Sequence, residues 1–208
     1  MADSFSSGFV DYLKSHHIGY KLRFFQFLFS NKLNVPMLRL LWAAFRNNSW
    51  VRNCTIINKG KNNSIVIGQT CCLSGVRFFM MGDNNSIIIG NDVNVNASKL
   101  QPTCFNACEG TSIRIDDDCL FSNNIEIHTT DYHVMYNTQH LPTNSPCDVH
   151  IRKHCWIGLR TILLKGVELQ ENTIVGACST VTHSVDKSNV VIAGNPARIV
   201  KNDVFWKK

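Results

Sequence analysis

The chain has 208 residues, 44% of them hydrophobic, which is enough for one domain with a continuous core and leaves little room for a second enzymatic domain. Its formal net charge of +6 and isoelectric point of about 8.9 favour an anionic ligand, such as a coenzyme phosphate, an acidic glycan or a lipid headgroup. A nucleic-acid partner is not expected, because the basic residues are spread thinly instead of clustering around aromatic stacking platforms.

Residues 1–50 are predicted to form a helical segment that precedes the main domain. The stretches GFVDYLKSHH, GYKLRFFQFLFSNK and PMLRLLWAAFRNN have helical spacing, and Pro36 suits the first turn of a helix. Gln26 and Arg39 interrupt the apolar runs, which fall short of the roughly 20 residues needed to span a bilayer. Two roles stay open: capping the end of the domain that follows, or peripheral contact with a membrane or an acidic glycan. The second role would use an alternation of aromatic and basic residues: Phe24, Phe25, Phe27 and Phe29 with Lys21, Arg23 and Lys32.

A repeat begins after this segment. NNSIVIG at residues 62–68 returns 22 residues later as NNSIIIG at residues 84–90, a spacing that suggests an 18-residue coil with a short bulge. Asparagine tolerates the left-handed backbone of tight corners, so the paired asparagines are predicted to lie at corners, although surface loops are an alternative. The inward positions of these less regular coils are predicted to be Ile67, Leu73, Phe79, Phe121 and Ile127, with Cys71 and Cys119 in the slot two residues before an inward position.

The period breaks at residues 128–150, with the sequence HTTDYHVMYNTQHLPTNSPCDVH, and this segment is predicted to be a projecting loop. It holds Asp131, Tyr132, His133, His140 and His150. Binding and catalytic residues are concentrated on loops that are held by a rigid scaffold. This loop is therefore the first candidate for the active site.

A period of six residues resumes at Ile151. Neither a helix nor a single strand produces such a period, whereas a parallel β-helix does, because each step is one short strand and one corner. Small or β-branched residues precede each column residue by two positions, as a narrow interior requires. The column is Ile151, Ile157, Leu163, Leu169, Val175 and Val181, and its companions are Cys155, Thr161, Val167, Thr173 and Ser179.

The nine cysteines follow no C-x-x-C pattern, and the chain opens MADSF without a basic, apolar signal peptide. Reduced thiols in the cytoplasm are therefore expected. Cys104, Cys108 and Cys119 form only a weak zinc signal, since several cysteines fit the small positions of the core, and no metal is expected.

Three segments resemble the hexapeptide-repeat acyltransferases, in particular the left-handed β-helix O-acetyltransferases that modify bacterial capsule and O-antigen. They are TTDYH, then HIRKHCWIGLRTILLKGVELQENTIVGACSTVT, then VVIAGNPARIVK, and the resemblance covers roughly residues 51–202. It implies an all-β, left-handed parallel β-helix over residues 51–202, with a tail at residues 203–208. It also implies a homotrimer, acetyl-CoA in a groove between neighbouring subunits, and a loop histidine as general base.

The family's D-x-H segment matches residues 131–133, so the resemblance makes His133 the candidate base that takes a proton from an acceptor hydroxyl. Imidazole, with a reference pKa of about 6.5, suits this role at neutral pH. His128 is the competing candidate. Asp131 is expected to orient an imidazole, to steady the loop or to cap a turn. Trp156, in the WIG motif, is expected to form an apolar wall beside the thioester or the sugar, with plain packing as the alternative.

The same resemblance places the pantetheine arm of the coenzyme near Leu159, Ala177 and Thr182, and its phosphates near Arg198 or Lys201. His183 stands where many relatives have lysine, which puts a phosphate contact there in doubt. The segment at residues 194–196 is expected to form the turn that ends the coil stack.

The predicted function is acetyl-CoA-dependent O-acetylation of a bacterial surface polysaccharide, by direct transfer in a ternary complex. No cysteine or serine lies in a matched nucleophile motif, with Cys155 beside Trp156 as the one exception to test. The alternatives are acetylation of a small acceptor (a sugar, serine or an antibiotic) and a non-catalytic glycan-binding scaffold. A γ-class carbonic anhydrase is disfavoured, because its third zinc ligand would lie upstream and no histidine occurs between Arg52 and Ile127.

Overall fold

The computed structural model of the chain describes residues 35–208, so the aromatic and basic stretch predicted at residues 21–32 lies outside the described residues. Within that part, one helix precedes nineteen short strands. In chain order they are α1 (Val35–Arg46), β1 (Trp50–Arg52), β2 (Thr55–Lys59), β3 (Ser64–Ile67), β4 (Cys72–Ser74), β5 (Val76–Met81), β6 (Ser86–Ile89), β7 (Asn94–Asn96), β8 (Thr103–Cys108), β9 (Ser112–Ile115), β10 (Leu120–Phe121), β11 (Glu126–His128), β12 (Val149–Ile151), β13 (Trp156–Ile157), β14 (Ile162–Leu163), β15 (Glu168–Leu169), β16 (Ile174–Val175), β17 (Thr180–Val181), β18 (Val190–Gly194) and β19 (Ala197–Asn202).

The strands form three sheets, and each coil from β1 to β15 contributes one strand to each sheet in turn, as in a parallel β-helix. The last coil reaches the third face only through an isolated bridge between Leu169 and Val185. The first face has the order β1-β4-β7-β10-β13-β16-β18-β19, the second β17-β14-β11-β8-β5-β2, and the third β15-β12-β9-β6-β3. Pairing between coils is parallel on all three faces except for β18 and β19, which form an antiparallel hairpin at the end of the first face.

The six-residue column is the core of the regular coils, as predicted. The column residues from Ile151 to Val181 are at most 1% exposed, and so are their companions from Cys155 to Ser179. In the less regular coils Phe79 was wrongly predicted to point inward. The chain turns at Gly75, which has a φ of +67°, and β5 then buries Val76, Phe78 and Met80 on alternate positions. Phe79 is therefore on the outer side of the strand.

The 22-residue repeat is confirmed as two stacked strands, because β3 and β6 pair in register from Ser64 with Ser86 to Ile67 with Ile89. Asn62 and Asn84 have left-handed φ values of 56° and 61°, which confirms them as corner residues. Next to them, the Asn63 Oδ1 atom accepts a hydrogen bond from the backbone N–H of Asn85 at 2.7 Å. The corners of adjacent coils are thus joined by side chains as well as by the strands.

The described part of the N-terminal segment lies against the first coils. Pro36 is in the first turn of α1, and Leu40, Leu41 and Ala44 are buried in the same core as the strands. The Asn47 side chain donates to the carbonyl of Ile67 at 2.7 Å. At the opposite end, a turn with a cis peptide bond between Asn195 and Pro196 joins β18 to β19. Between residues 35 and 208 no helix is long and apolar enough to cross a membrane.

A buried aromatic row is expected to contribute strongly to stability. The Phe105 ring lies edge-on to those of Phe78 and Phe121, with centroid distances of 5.9 and 5.8 Å, and all three are fully buried. We expect Phe105→Ala to lower the free energy of unfolding by about 3–5 kcal/mol, because it leaves a cavity between two coils. Urea unfolding measures this, with Leu100→Ala as control, since Leu100 is 94% exposed and its loss should cost less than about 0.5 kcal/mol. Equal losses for the two variants would contradict the assignment.

Candidate active site

The projecting loop is an ordered hairpin between the second and third faces. Strand β11 ends at His128 and β12 begins at Val149. The segment between these two strands, residues 129–148, is called here the histidine loop. Tyr136 and Pro142 form an isolated β-bridge across it, and the Asn137 side chain accepts hydrogen bonds from the backbone of Gln139 and Leu141. Internal hydrogen bonds therefore fix the shape of the loop.

His133 lines a small cavity at the base of this loop. The cavity has a volume of about 140 Å³, and the His133 side chain is exposed on its wall. The Asn144 side chain donates to the carbonyl oxygen of His133 at 2.9 Å, which fixes the backbone that carries the imidazole. The other lining residues are Glu109, Thr130, Val134, Pro142, Asn144, Ser145 and Pro146. An imidazole in this position can reach a hydroxyl that enters from solvent.

Asp131 bonds to the loop and not to an imidazole. Its carboxylate lies 2.7 Å from the Lys165 ammonium and accepts a 2.7 Å hydrogen bond from the Asn144 side chain. Lys165 and Asn144 together lower the pKa of Asp131 below its ordinary value. The Lys165 ammonium also donates to the carbonyls of Asn144 and Ser145, at 2.8 and 3.1 Å. Of the predicted roles for Asp131, this geometry corresponds to steadying the loop.

Both ring nitrogens of His128 have partners. Its Nε2 atom lies 2.9 Å from a carboxylate oxygen of Glu126, and its Nδ1 atom lies 3.0 Å from the Tyr132 hydroxyl. Burial raises the pKa of Tyr132 to about 12, so the phenol stays protonated. One ring nitrogen of His128 thus contacts a carboxylate and the other a phenol, and this arrangement favours His133 as the base.

Glu109 is a candidate that the sequence reasoning missed. It lies at the corner between β8 and β9, one coil before the histidine loop, and lines the same cavity as His133. Its carboxylate accepts a 3.1 Å hydrogen bond from the Thr130 hydroxyl. The only local signal is the Glu-Gly pair at a corner with a φ of 61°, which does not indicate a ligand. A carboxylate here can accept a hydrogen bond from an acceptor hydroxyl.

Trp156 lies on the first face, 38% exposed, paired with Leu120 and Ile174 of the adjacent coils. The histidine loop leaves the corner between the second and third faces, which is opposite the first face in a three-sided coil. One chain therefore does not bring Trp156 and His133 into the same cavity.

The predicted coenzyme residues divide among three regions. Leu159 and Ala177 lie at the corner between the first and second faces, where the Leu159 carbonyl accepts a 2.7 Å hydrogen bond from the Cys178 N–H. Thr182 lies at the second-to-third corner, in the same row of corners as Lys165 and the histidine loop, and its hydroxyl is 2.8 Å from the His183 ring. Arg198 and Lys201 are exposed on β19.

Five of the nine cysteines are buried, whereas Cys147 and Cys178 are exposed. Cys155 is fully buried in the core, and its thiol donates to the Gln170 carbonyl at 3.2 Å, so it does not face a thioester in solvent. All nine cysteines are free thiols. Across residues 35–208 no group of three or more His, Cys, Asp and Glu side chains is arranged to hold a metal ion.

Sequence and structure comparisons match the chain to acetyltransferases, although it matches no protein-family profile. It is 32% identical over 164 residues to the polysialic acid O-acetyltransferase of Neisseria meningitidis, which covers 71% of this chain and 76% of the relative. It is 25% identical over 143 residues to the galactoside O-acetyltransferase of Lactococcus lactis, covering 68% of this chain and 65% of that protein.

Two solved structures share the fold. The polysialic-acid-specific acetyltransferase NeuO matches 77% of this chain and 81% of its own, with a TM-score of 0.61 and 22% identity. The polysialic acid O-acetyltransferase OatWY matches 77% of this chain and 90% of its own, with a TM-score of 0.54 and 27% identity. The predicted fold class, a left-handed parallel β-helix with a short helical segment, is thereby confirmed.

Proposed function

The chain belongs to the hexapeptide-repeat O-acetyltransferases and is an acyltransferase, and from this premise we propose that it transfers an acetyl group from acetyl-CoA to a hydroxyl of a bacterial surface polysaccharide. The observation that carries the proposal is His133, exposed on a cavity wall and fixed by an ordered loop. The relation to a polysialic acid O-acetyltransferase and the net charge of +6 favour an acidic glycan of capsule or O-antigen type.

In the proposed reaction, the free ring nitrogen of His133 accepts the proton of the acceptor hydroxyl as that oxygen attacks the thioester carbonyl. The C–O bond forms, the C–S bond breaks, and the proton passes from His133 to the departing thiolate. Asp131 and Lys165 contribute by holding the loop, through the carbonyl and side-chain contacts described above. Transfer is direct, since the buried Cys155 is not placed to form an acetyl-enzyme.

The site is proposed to be shared between neighbouring subunits of a homotrimer. His133 and Trp156 lie on opposite sides of one coil stack, so a reaction that uses both needs a second copy of the chain. Trp156, Leu159 and Ala177 of one subunit would then line a groove for acetyl-CoA, facing His133 and Thr182 of the next. Arg198 and Lys201 are proposed to contact the phosphates of the coenzyme.

The cellular setting and the terminal segments are also proposals. Nine free thiols support a cytoplasmic location, because a reducing compartment keeps thiols from pairing. Residues 1–50 remain predicted as a capping segment, with peripheral membrane contact as the other role. The packing of Leu40, Leu41 and Ala44 into the core supports capping for the described part of that segment.

A small acceptor is the second candidate, because the relative from Lactococcus lactis is a galactoside O-acetyltransferase and the cavity at His133 is small. Thiol release from acetyl-CoA distinguishes the two. We expect release with polysialic acid or another acidic capsular polymer, and little with neutral polymers, galactosides or water alone. Release with galactosides alone would show that the acceptor is a small sugar and not a polymer. No release with any acceptor would contradict the proposal.

A further inference from the structure

The last six residues of the chain form an ordered strap across successive coils. This C-terminal strap, residues 203–208, follows the corner between the third and first faces. The Asn172 side chain donates to the Val204 carbonyl at 2.8 Å, and farther along the Lys208 ammonium lies 2.7 Å from the Asp118 carboxylate. Trp206, between these contacts, is only 8% exposed. These hydrogen-bond, ionic and packing contacts make the six-residue tail an integral part of the fold.

His154 is the centre of the strap contact. The rings of Phe205 and Trp206 both stack on its imidazole, at centroid distances of 5.3 and 4.4 Å. The Trp206 indole N–H donates to the His154 carbonyl at 2.9 Å. In return, the His154 Nε2 atom lies 3.0 Å from the Trp206 carbonyl oxygen. Stacking and two hydrogen bonds therefore hold Trp206 in one orientation.

The second ring nitrogen of His154 contacts a carboxylate. Its Nδ1 atom lies 2.6 Å from the Asp118 carboxylate. Burial raises the pKa of Asp118, but hydrogen bonds from Lys208 and His154 outweigh this, and the pKa is below its ordinary value. A carbonyl and an ionised carboxylate only accept hydrogen bonds, so both ring nitrogens of His154 face acceptors.

The strap connects directly to Trp156. Trp156 follows His154 by two residues, and its ring lies 5.8 Å from that of Trp206, tilted by 43°. Trp206 thus lies beside the Trp156 ring, which remains 38% exposed to solvent. Because Trp206 is itself held by the backbone and ring of His154, it limits the orientations that Trp156 can adopt.

We propose that the C-terminal strap contributes to the active site through Trp206 alone, a positioning residue that holds the ring of Trp156 in the orientation needed to bind substrate. The inference rests on the proposed function, in which Trp156 forms a wall of the groove between subunits. Trp206 touches no reacting atom, and it acts through Trp156 alone.

The kinetic test uses Trp206→Ala and Trp206→Phe. Trp206→Ala is expected to raise the KM for acetyl-CoA or for the polymer about tenfold while kcat changes less than about twofold, since a mobile wall weakens binding and leaves the base intact. Trp206→Phe keeps a flat ring on His154 and should restore most of the affinity. Lys207→Ala, an exposed neighbour in the strap, is the matched control and should leave both constants unchanged. Unchanged constants in Trp206→Ala, or a fall in kcat at constant KM, would overturn the proposal.

A second measurement needs no substrate, so it separates failure of the strap proposal from failure of the proposed function. In a Trp42→Phe, Trp50→Phe background, Trp206→Ala and Trp206→Phe each leave Trp156 as the single tryptophan. We expect a red-shifted emission and stronger acrylamide quenching of Trp156 with Trp206→Ala than with Trp206→Phe. Identical emission and quenching would show that Trp206 does not position Trp156, whatever the enzyme acetylates.

Discussion

We expect His133→Ala to lower kcat by about 10²–10⁴-fold, the range typical for loss of a general base. The imidazole is the titratable ring exposed in the cavity of the histidine loop, whereas both nitrogens of His128 are held by Glu126 and Tyr132. Without it, the acceptor hydroxyl must attack the thioester while it still carries its proton. Thiol release from acetyl-CoA at saturating acceptor measures the effect, and KM should change little because the loop contacts use the backbone of His133.

Two histidines nearby provide the controls for this result. His140 lies exposed in the same loop, and its backbone N–H donates to the Asn137 carbonyl, so His140→Ala should retain the wild-type rate. His128→Gln removes the ring between Glu126 and Tyr132 and should have a smaller effect than His133→Ala. A larger loss in His128→Gln, with near-normal turnover in His133→Ala, would assign the base to His128.

The regular coils were predictable because their determinants are local. Each six-residue step places one aliphatic residue and one small residue inward, so the column from Ile151 to Val181 follows from counting alone. The six-residue count gave the wrong inward residue at Phe79, because the corner at Gly75 shifts the register of the inward positions and β5 is six residues long. The antiparallel hairpin of β18 and β19 was also missed, since the hexapeptide pattern contains no information about the direction of a strand.

The candidate site was predictable only in part, for a different reason. The resemblance of residues 131–133 to a family motif selected His133, but the partner of Asp131 is Lys165, 34 residues later and on the next coil. Trp206 and His154 are 52 residues apart in the chain. Such contacts depend on how corners stack and on the path of the tail, which no local pattern specifies.

Mixed oligomers of two impaired variants, one without the base and one without the binding wall, should recover activity at subsaturating acetyl-CoA. If each site combines His133 of one subunit with Trp156 of the next, a trimer that contains both His133→Ala and Trp156→Ala subunits can contain a site with both native residues. With equal amounts and random assembly, about a quarter of the sites are intact, so about a quarter of the wild-type rate should return. The measurement is thiol release after the two variants are unfolded together and refolded.

The position of the two residues on opposite sides of one coil stack is what makes this outcome specific. If one chain supplied both residues to a single site, every subunit in a mixed oligomer would lack one of them, and the rate would equal the mean of the two parent variants. The control mixes His133→Ala with His133→Asn, two variants that lack the same side chain and cannot complement each other in any arrangement. Recovery in the first mixture and none in the second requires a site built from two subunits, whereas no recovery in either would contradict a site shared between subunits.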